Sequence, residues 1–405
     1  MGGARLTSVC RYRLQPTQAQ EAALLEHYGH ARFVWNLAVE QHGHWRPGRR
    51  SAPGFTEQCR QLTAARRTSA WLRAGSVIVQ QQTLKDFAQA MRNFFTGTHG
   101  RPTWRRRGSG EGFRIVATTS REVRRLSRRV GAVRVSKVGW VRFRWSRPVS
   151  AGVKSYRITR DAAGRWHVAF AVVPEAIPAP GNGAVVGVDR GVAVAAALST
   201  GEQFLVPGLR ETEKARLIRL LRRLARAKRG SKRRDRLKLG IARLKTRERD
   251  RRKDWVERTS TYVAREFDVI GVEALKISAM IRSARGSVAN PGRSVRQKAG
   301  LNRGILASGW GMLVARLGQK APGRVVKVKA AYTSQRCSVC GIVDREARES
   351  QAVFRCRSCG YAANADVNAA RNIAYAAGHA VSARGGSSSG EPVNREPQRD
   401  LLLIE

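Results

Sequence analysis

Residues 333–373 read TSQRCSVCGIVDREARESQAVFRCRSCGYAANADVNAARNI. Cys337-x2-Cys340 and Cys356-x2-Cys359 are separated by fifteen residues, and Gly341 and Gly360 each follow the second cysteine of a pair. Thiolates two residues apart can turn through a tight knuckle onto one ion, and a second such pair completes a tetrahedron. The spacing therefore predicts one structural Zn2+ held by four cysteines in a ribbon. A redox dithiol or an iron–sulfur cluster requires neither two glycine-backed knuckles nor this separation. Cys10 and Cys59 stand apart and read as inert core or surface thiols. Just beyond the ribbon, Asp366 opens an alanine-rich helical run, where a lone acid is an N-cap more often than a catalyst.

Upstream, two further acids end short apolar runs. Asp189 closes Val185-Val186-Gly187-Val188-Asp189 and is followed by Arg190-Gly191; Glu273 closes Val269-Ile270-Gly271-Val272-Glu273. Either acid alone is explained by a turn or strand end whose amides hold it. Together with Asp366, however, two strands and a helix deliver three carboxylates. That set suits two Mg2+ ions about 3.5–4 Å apart, which activate water and stabilise the leaving oxygen in phosphodiester cleavage.

The rest of the composition says what such a site would act on. The 405 residues hold 77 Lys+Arg against 29 Asp+Glu, a formal net charge of +48. An ordinary metabolic enzyme is far less basic, and codon bias alone does not explain why acids are scarce. Such an excess calls for a polyanion, by default nucleic acid, and no small-molecule substrate is expected. The 42% hydrophobic content supports a substantial core and excludes a wholly disordered basic tail. No run of 18 or more apolar residues and no apolar N-terminal segment occurs, so the expected place is the cytoplasm, with no membrane partner.

The chain divides by pattern. Ser8–Leu14 alternates as a strand; a helix opens at Pro16-Thr17 with Ala22, Leu25, Tyr28, Phe33, Val34 and Leu37 as its apolar positions, and Val77–Phe95 is a second amphipathic stretch. After the basic, Gly-rich stretch 97–112, strands are predicted at Phe113–Ala117, Val130–Val135, Trp140–Trp145, Val153–Thr159 and Trp166–Val173, enough with the first strand to close a small barrel. Residues 174–183 are Pro- and Gly-rich and read as a linker. Val185–Asp189, Val192–Leu198 and Gln203–Val206 follow as a strand meander. A basic helical hairpin spans 211–267 with a break at Gly230-Ser231, and Ser283–Gln297 reads as a mobile loop. The Gly- and Ser-rich tail 382–405 is expected to be disordered.

In this order, Gly187-Val188-Asp189-x-Gly191, Gly271-Val272-Glu273-x-Leu275, the two cysteine knuckles introduced by Thr333-Ser334-Gln335, and Asn364-Ala365-Asp366-x-Asn368-Ala369-Ala370-x-Asn372-Ile373 resemble the TnpB family. These are insertion-sequence-encoded RNA-guided endonucleases related to type V CRISPR effectors. Ala31-Arg32-Phe33-Val34-Trp35-Asn36 and Gly309-Trp310-Gly311 are similar to the family too.

The resemblance implies a multidomain α+β fold: a wedge β-barrel (1–16 and 97–180), an inserted helical recognition domain (17–96), a RuvC-like, RNase H-type α/β nuclease core (181–332), an inserted zinc ribbon (333–361) and a final RuvC segment (362–381). It implies Asp189, Glu273 and Asp366 as catalytic Mg2+ ligands. It also implies a transposon-derived guide RNA and cleavage of double-stranded target DNA beside a short transposon-adjacent motif. Two features depart from the family pattern. Arg190 stands where an apolar residue is more usual, and either lowers the pKa of Asp189 or points away; the loop 283–301 is long and basic.

Basic segments are candidates for nucleic-acid contact. Arg101, Trp104, Arg105, Arg106 and Arg107 interleave an aromatic with cations, suited to gripping phosphates or stacking a base. Arg222, Arg223, Lys232, Arg233 and Arg234 lie on the basic helices, as a face that tracks a guide–target heteroduplex would require. Any one of these charges is equally accounted for as a solvated surface residue. Two alternatives stand beside the guided nuclease: a nuclease-inactive RNA-guided DNA-binding regulator or accessory factor, and an autonomous transposase.

Overall fold

In the computed structural model, residues 8–44, 51–108, 110, 112–116, 122–149, 153, 155–172 and 175–385 are described. The expected tail beyond residue 385, and Ala117, Val173 and Pro174 at the ends of expected strands or linker, lie outside them. The chain forms two compact units, Met1–Pro174 with Leu209–Glu248, and Glu175–Gly208 with Arg249–Glu405.

The first unit opens with β1 (Ser8–Gln15), α1 (Gln18–Gly43), α2 (Phe55–Thr68), α3 (Ala70–Ala74) and α4 (Val77–Phe95). Thr17 starts α1 through a capping box with Gln20, satisfying amides that a helix start leaves unpaired. The face that α1 buries is not the one its strongest apolar residues suggest. Leu24, His27, Tyr28, His30, Ala31, Val34, Trp35 and Ala38 go inward, while Leu25, Phe33 and Leu37 are exposed. The two histidines are accommodated by partners: His27 Nε2 donates to the Ser136 carbonyl at 2.8 Å, and His30 stacks on Trp71.

Strands β2 (Gly112–Val116), β3 (Val123–Arg125), β4 (Val130–Val135), β5 (Gly139–Arg144), β6 (Ser155–Arg160) and β7 (Trp166–Val172) join β1 in an antiparallel sheet of order β2-β6-β7-β1-β5-β4-β3. β1 is shared, pairing with β7 through residues 8–13 and with β5 through Leu14 and Gln15. Its inward residues Tyr12 and Leu14 join Phe113, Val141, Phe143, Ile158, Val168 and Phe170 in one core. Among the described residues the ladder ends at β2 and β3 rather than closing between them. The three-residue β3 was not legible in the sequence pattern.

Next come β8 (Val185–Asp189), β9 (Ala196–Leu198), β10 (Gln203–Phe204), α5 (Glu211–Arg226) and α6 (Lys232–Glu266), followed by β11 (Val269–Glu273), α7 (Ile277–Met280), α8 (Val295–Ser308), α9 (Trp310–Lys320), β12 (Val325–Val328), β13 (Val353–Arg355), β14 (Ala362–Asn364) and α10 (Ala365–Gly385). Two expected strands are shorter than their apolar runs, because residues 192–195 form a turn before β9 and β10 ends at Phe204. Val295–Gln297, expected in a loop, instead open α8. Residues 175–183 make no regular element, yet Asp268 pins them by accepting from the amides of Gly181 (2.9 Å) and Gly183 (2.6 Å).

In the second unit the sheet order is β10-β9-β8-β11-β12, with β8, β11 and β12 parallel. Parallel strands covered on both faces read as continuous apolar runs, as these do. Val186, Val188, Ile270 and Val272 face Trp255, Val256 and Val263 of α6 and Leu313 and Leu317 of α9. The opposite face carries Gly187 and Gly271, and α10 lies directly on them. A Cβ at position 187 would overlap the Ala370 carbonyl, and one at 271 would sit 2.8 Å from the Ala377 Cβ.

Candidate active site and metal centre

Strand parity delivers the acids. Alternate residues share a face, so Asp189 lies on the Gly187 side of β8 and Glu273 on the Gly271 side of β11, the side that α10 covers. In the parallel register Val188 is opposite Val272, which brings the two carboxyl ends side by side. α10 starts at this same edge. Asn364 is its cap, accepting from the amides of Asp366 (3.0 Å) and Val367 (3.2 Å). Asp366 is thereby relieved of capping and stands in the first turn, where the helix dipole favours negative charge.

Asp189 senses the other two acids. Burial first, then Glu273 and Asp366, raise the pKa of Asp189 to about 7, against lowering by the Arg190 backbone and by Arg348. Thr333 Oγ1 donates to Glu273 Oε1 at 2.6 Å, and Arg348 Nη2 reaches Asp366 Oδ1 at 3.1 Å. Arg348 comes from the cysteine-ribbon loop and Thr333 precedes the first knuckle. Neither role is legible in the sequence: Thr333 stands there only as part of a motif, and Arg348 is one of 77 basic residues. Arg190 is buried; its guanidinium donates to the backbone carbonyl of Glu273, and its Nε makes no hydrogen bond. The side chain is thus turned to the end of β11, and it is the backbone of Arg190, not its guanidinium, that lowers the pKa of Asp189.

The four cysteines form a tighter group. Their sulfurs all lie within 4.8 Å of one another, with Cys337–Cys359 at 3.7 Å and Cys340–Cys356 at 3.6 Å. A tetrahedral ion with bonds of about 2.3 Å places its sulfurs about 3.8 Å apart, so this donor set fits a metal ion. Among the described residues no other group of three or more Cys, His, Asp or Glu side chains is gathered this closely, and the three carboxylates are more widely spread. Both knuckles have the same construction. Cys337 N donates to Ile342 O and Gly341 N to Cys337 O; Cys356 N donates to Tyr361 O and Gly360 N to Cys356 O. Gly341 (φ 78°) and Gly360 (φ 69°) take the left-handed conformation that each turn requires. The amide of Cys359 is foremost in holding the Cys356 thiol down to about 7, while, against lowering by the Tyr361 backbone, hydrogen bonds shared among the sulfurs push Cys359 up to about 12.

The motif after the ribbon binds ribbon to core. Asn368 accepts from Ser338 N at 2.9 Å and donates to Arg336 O at 2.8 Å, while Asn372 donates to Thr333 O and Arg336 O. The loop carrying Thr333 and the first knuckle is thus fixed to the helix that carries Asp366.

The basic candidates separate. Arg106, Arg107, Lys232 and Arg233 are exposed. Arg222 and Arg223 line a surface hollow of about 520 Å3 along α5. Arg101 donates to the His42 carbonyl, Arg105 lies 3.7 Å over the Trp35 ring, and Arg234 bonds the carbonyls of Leu224 and Ala227 at the end of α5. Arg105 and Arg234 are thus engaged with the protein itself.

Three family models match parts of the chain. Residues 310–373 match the Cas12f1-like TNB domain model, residues 167–284 a "Probable transposase" model and residues 6–48 a "Helix-turn-helix domain" model. The "Putative RNA-guided DNA endonuclease InsQ" of Escherichia coli (strain K12) is 36% identical over 395 residues, covering 96% of each chain. A "Putative RNA-guided DNA endonuclease" of Streptomyces pristinaespiralis is 30% identical over 407 residues, again 96% of each. A cryo-EM structure of a Cas12f1–sgRNA–target DNA complex shares the fold at TM-score 0.54, with 12% identity over 91% of this chain and 98% of that one. The fold and site define a multidomain α/β protein that shares its fold with Cas12f1 and carries a four-cysteine domain whose donors fit a metal ion. The chain belongs to the TnpB family, the OrfB group of IS605-type elements.

Proposed function

We propose that this protein is an RNA-guided DNA endonuclease of a transposable element, cutting guide-matched double-stranded DNA next to a short transposon-adjacent motif. The carrying observation is the meeting of Asp189, Glu273 and Asp366 at the carboxyl edge of a parallel sheet, where ligands of open α/β sheets bind. The full-length relatives named as such endonucleases support the same reading. The second unit reads as a RuvC-like, RNase H-type core with an inserted ribbon, and the seven-stranded sheet with helices α1–α4 as a wedge barrel carrying a recognition domain.

Cys337, Cys340, Cys356 and Cys359 would hold a structural Zn2+. The three carboxylates would hold two Mg2+, which supply an activated water and neutralise the leaving oxygen. The protein's own contributions are positional. Thr333 fixes one Glu273 oxygen, Arg348 holds Asp366, Arg190 ties the end of β11 to β8, and the dipole of α10 offsets repulsion among the acids.

The test is to purify the protein with RNA transcribed from its own locus and offer it a plasmid library carrying a guide-matched target and a randomised flank. Cuts that need Mg2+, lie beside an enriched flank and vanish in Asp189→Ala are expected. Enrichment by binding without any cut would establish the nuclease-inactive regulator instead.

A further inference from the structure

The basic segment at residues 101–107 is built to hold a tryptophan in the open. Trp35 Nε1 donates to the Thr103 carbonyl at 2.9 Å; the Asn36 amide donates to the Arg105 carbonyl at 3.1 Å and accepts from the Arg105 amide at 2.8 Å. The Arg105 guanidinium lies over the Trp35 ring. Both neighbours of Trp104 are therefore fastened to α1, while Trp104 itself is 56% exposed. A cleft of about 460 Å3 is lined by Trp104 together with the exposed rings of Trp71 and Phe33, beside Arg32 and Glu40. Trp71 is also immobilised, stacked 4.1 Å from His30 and edge-on to Phe33. Trp104 and Glu40 continue into an adjoining hollow of about 280 Å3 with Arg101.

We propose that this cleft binds an unpaired nucleobase of single-stranded RNA, stacked on Trp104 and Trp71, with the neighbouring arginines meeting its phosphates. Trp71, held before binding, loses little entropy when a base stacks on it, and each such stack contributes about 1–3 kcal/mol. The surroundings are cationic, as a phosphate backbone requires, with Arg106 and Arg107 exposed next to Trp104. Glu40, whose Oε1 also meets His44 Nε2 at 3.2 Å, favours RNA over DNA. A carboxylate repels phosphate but accepts from a ribose 2′-hydroxyl, a donor that DNA lacks. The assignment rests on the RNA-guided reading above, and its test requires no cleavage.

Full-length protein would be titrated, at salt high enough to suppress purely ionic attachment, with a short fluorescent single-stranded RNA, its DNA counterpart and an abasic ribose-phosphate strand of equal charge. Trp104→Ala is expected to weaken RNA binding roughly 5- to 150-fold, Trp104→Phe to retain most of it, and neither to alter binding of the abasic strand. Because the ring is exposed, both variants should melt with the wild type. An RNA probe carrying iodouridine should photocross-link to the peptide containing Trp104 or Trp71. RNA affinity unaffected by Trp104→Ala, an equal loss on the abasic strand, or DNA binding as tight as RNA with the same dependence on Trp104 would overturn the assignment. Guided cleavage with Trp104-insensitive RNA binding overturns the cleft alone; a protein that binds none of the probes overturns the RNA-guided reading as well.

Discussion

Asp189 is the residue on which the site's electrostatics concentrate. Its folded pKa of about 7 lies above the value near 3.9 of an unfolded aspartate, so the folded protein binds that proton more tightly. The associated stability is fully present below the unfolded value and is lost as pH rises toward about 7. Without Mg2+, Asp189→Asn should therefore stabilise the protein at about pH 8 by on the order of 2–4 kcal/mol, and give no advantage near pH 4. Urea titrations at the two pH values check this; a wild-type stability flat across that window would contradict it. Thr333→Val removes a hydrogen bond to a carboxylate and should slow cleavage about tenfold with little change in melting temperature, measured by single-turnover cutting. The acids were legible because each ends a buried strand or begins a helix beside small residues in a chain where acids are rare. Asn364, not Asp366, proved to be the cap, since capping depends on backbone geometry that the pattern Asn-Ala-Asp leaves open. Arg348 was illegible because nothing in sequence separates one arginine reaching forward over 18 residues from dozens facing water.

At the scale of elements, the glycines of the strand motifs set the distance between sheet and helix. Gly187→Ala would drive a methyl group into the backbone of α10, and the expected cost is at least about 3 kcal/mol, seen as a lowered urea midpoint or loss of folded protein. A full-stability alanine variant would refute that close approach. Asn364→Ala should cost about 1 kcal/mol by the same assay, the usual loss of an N-cap. Strands, helices and the hairpin break at Gly230-Ser231 were readable because periodicity and turn chemistry are local. The buried face of α1 was not. It carries two apolar stripes, and the choice between them follows from partners elsewhere, such as the Ser136 carbonyl that satisfies His27. The exposed stripe holds Phe33, which lines the same cleft as Trp104.

At the scale of the molecule, the cysteine domain holds part of the proposed active site. Asn368 and Asn372 fasten its first knuckle to α10, and its loop supplies Arg348 to Asp366. Cys356→Ser should therefore lose one Zn2+ by atomic absorption and abolish cutting, although no cysteine touches the carboxylates. Retained metal or retained cutting would break that coupling. The central claim is tested most directly by comparing wild type with Asp189→Ala, Glu273→Ala and Asp366→Ala, each assembled with the locus-derived RNA, on a guide-matched plasmid with Mg2+. The account predicts cutting by the wild type alone and target binding by all four. Undiminished cutting by any one of the three variants would contradict it.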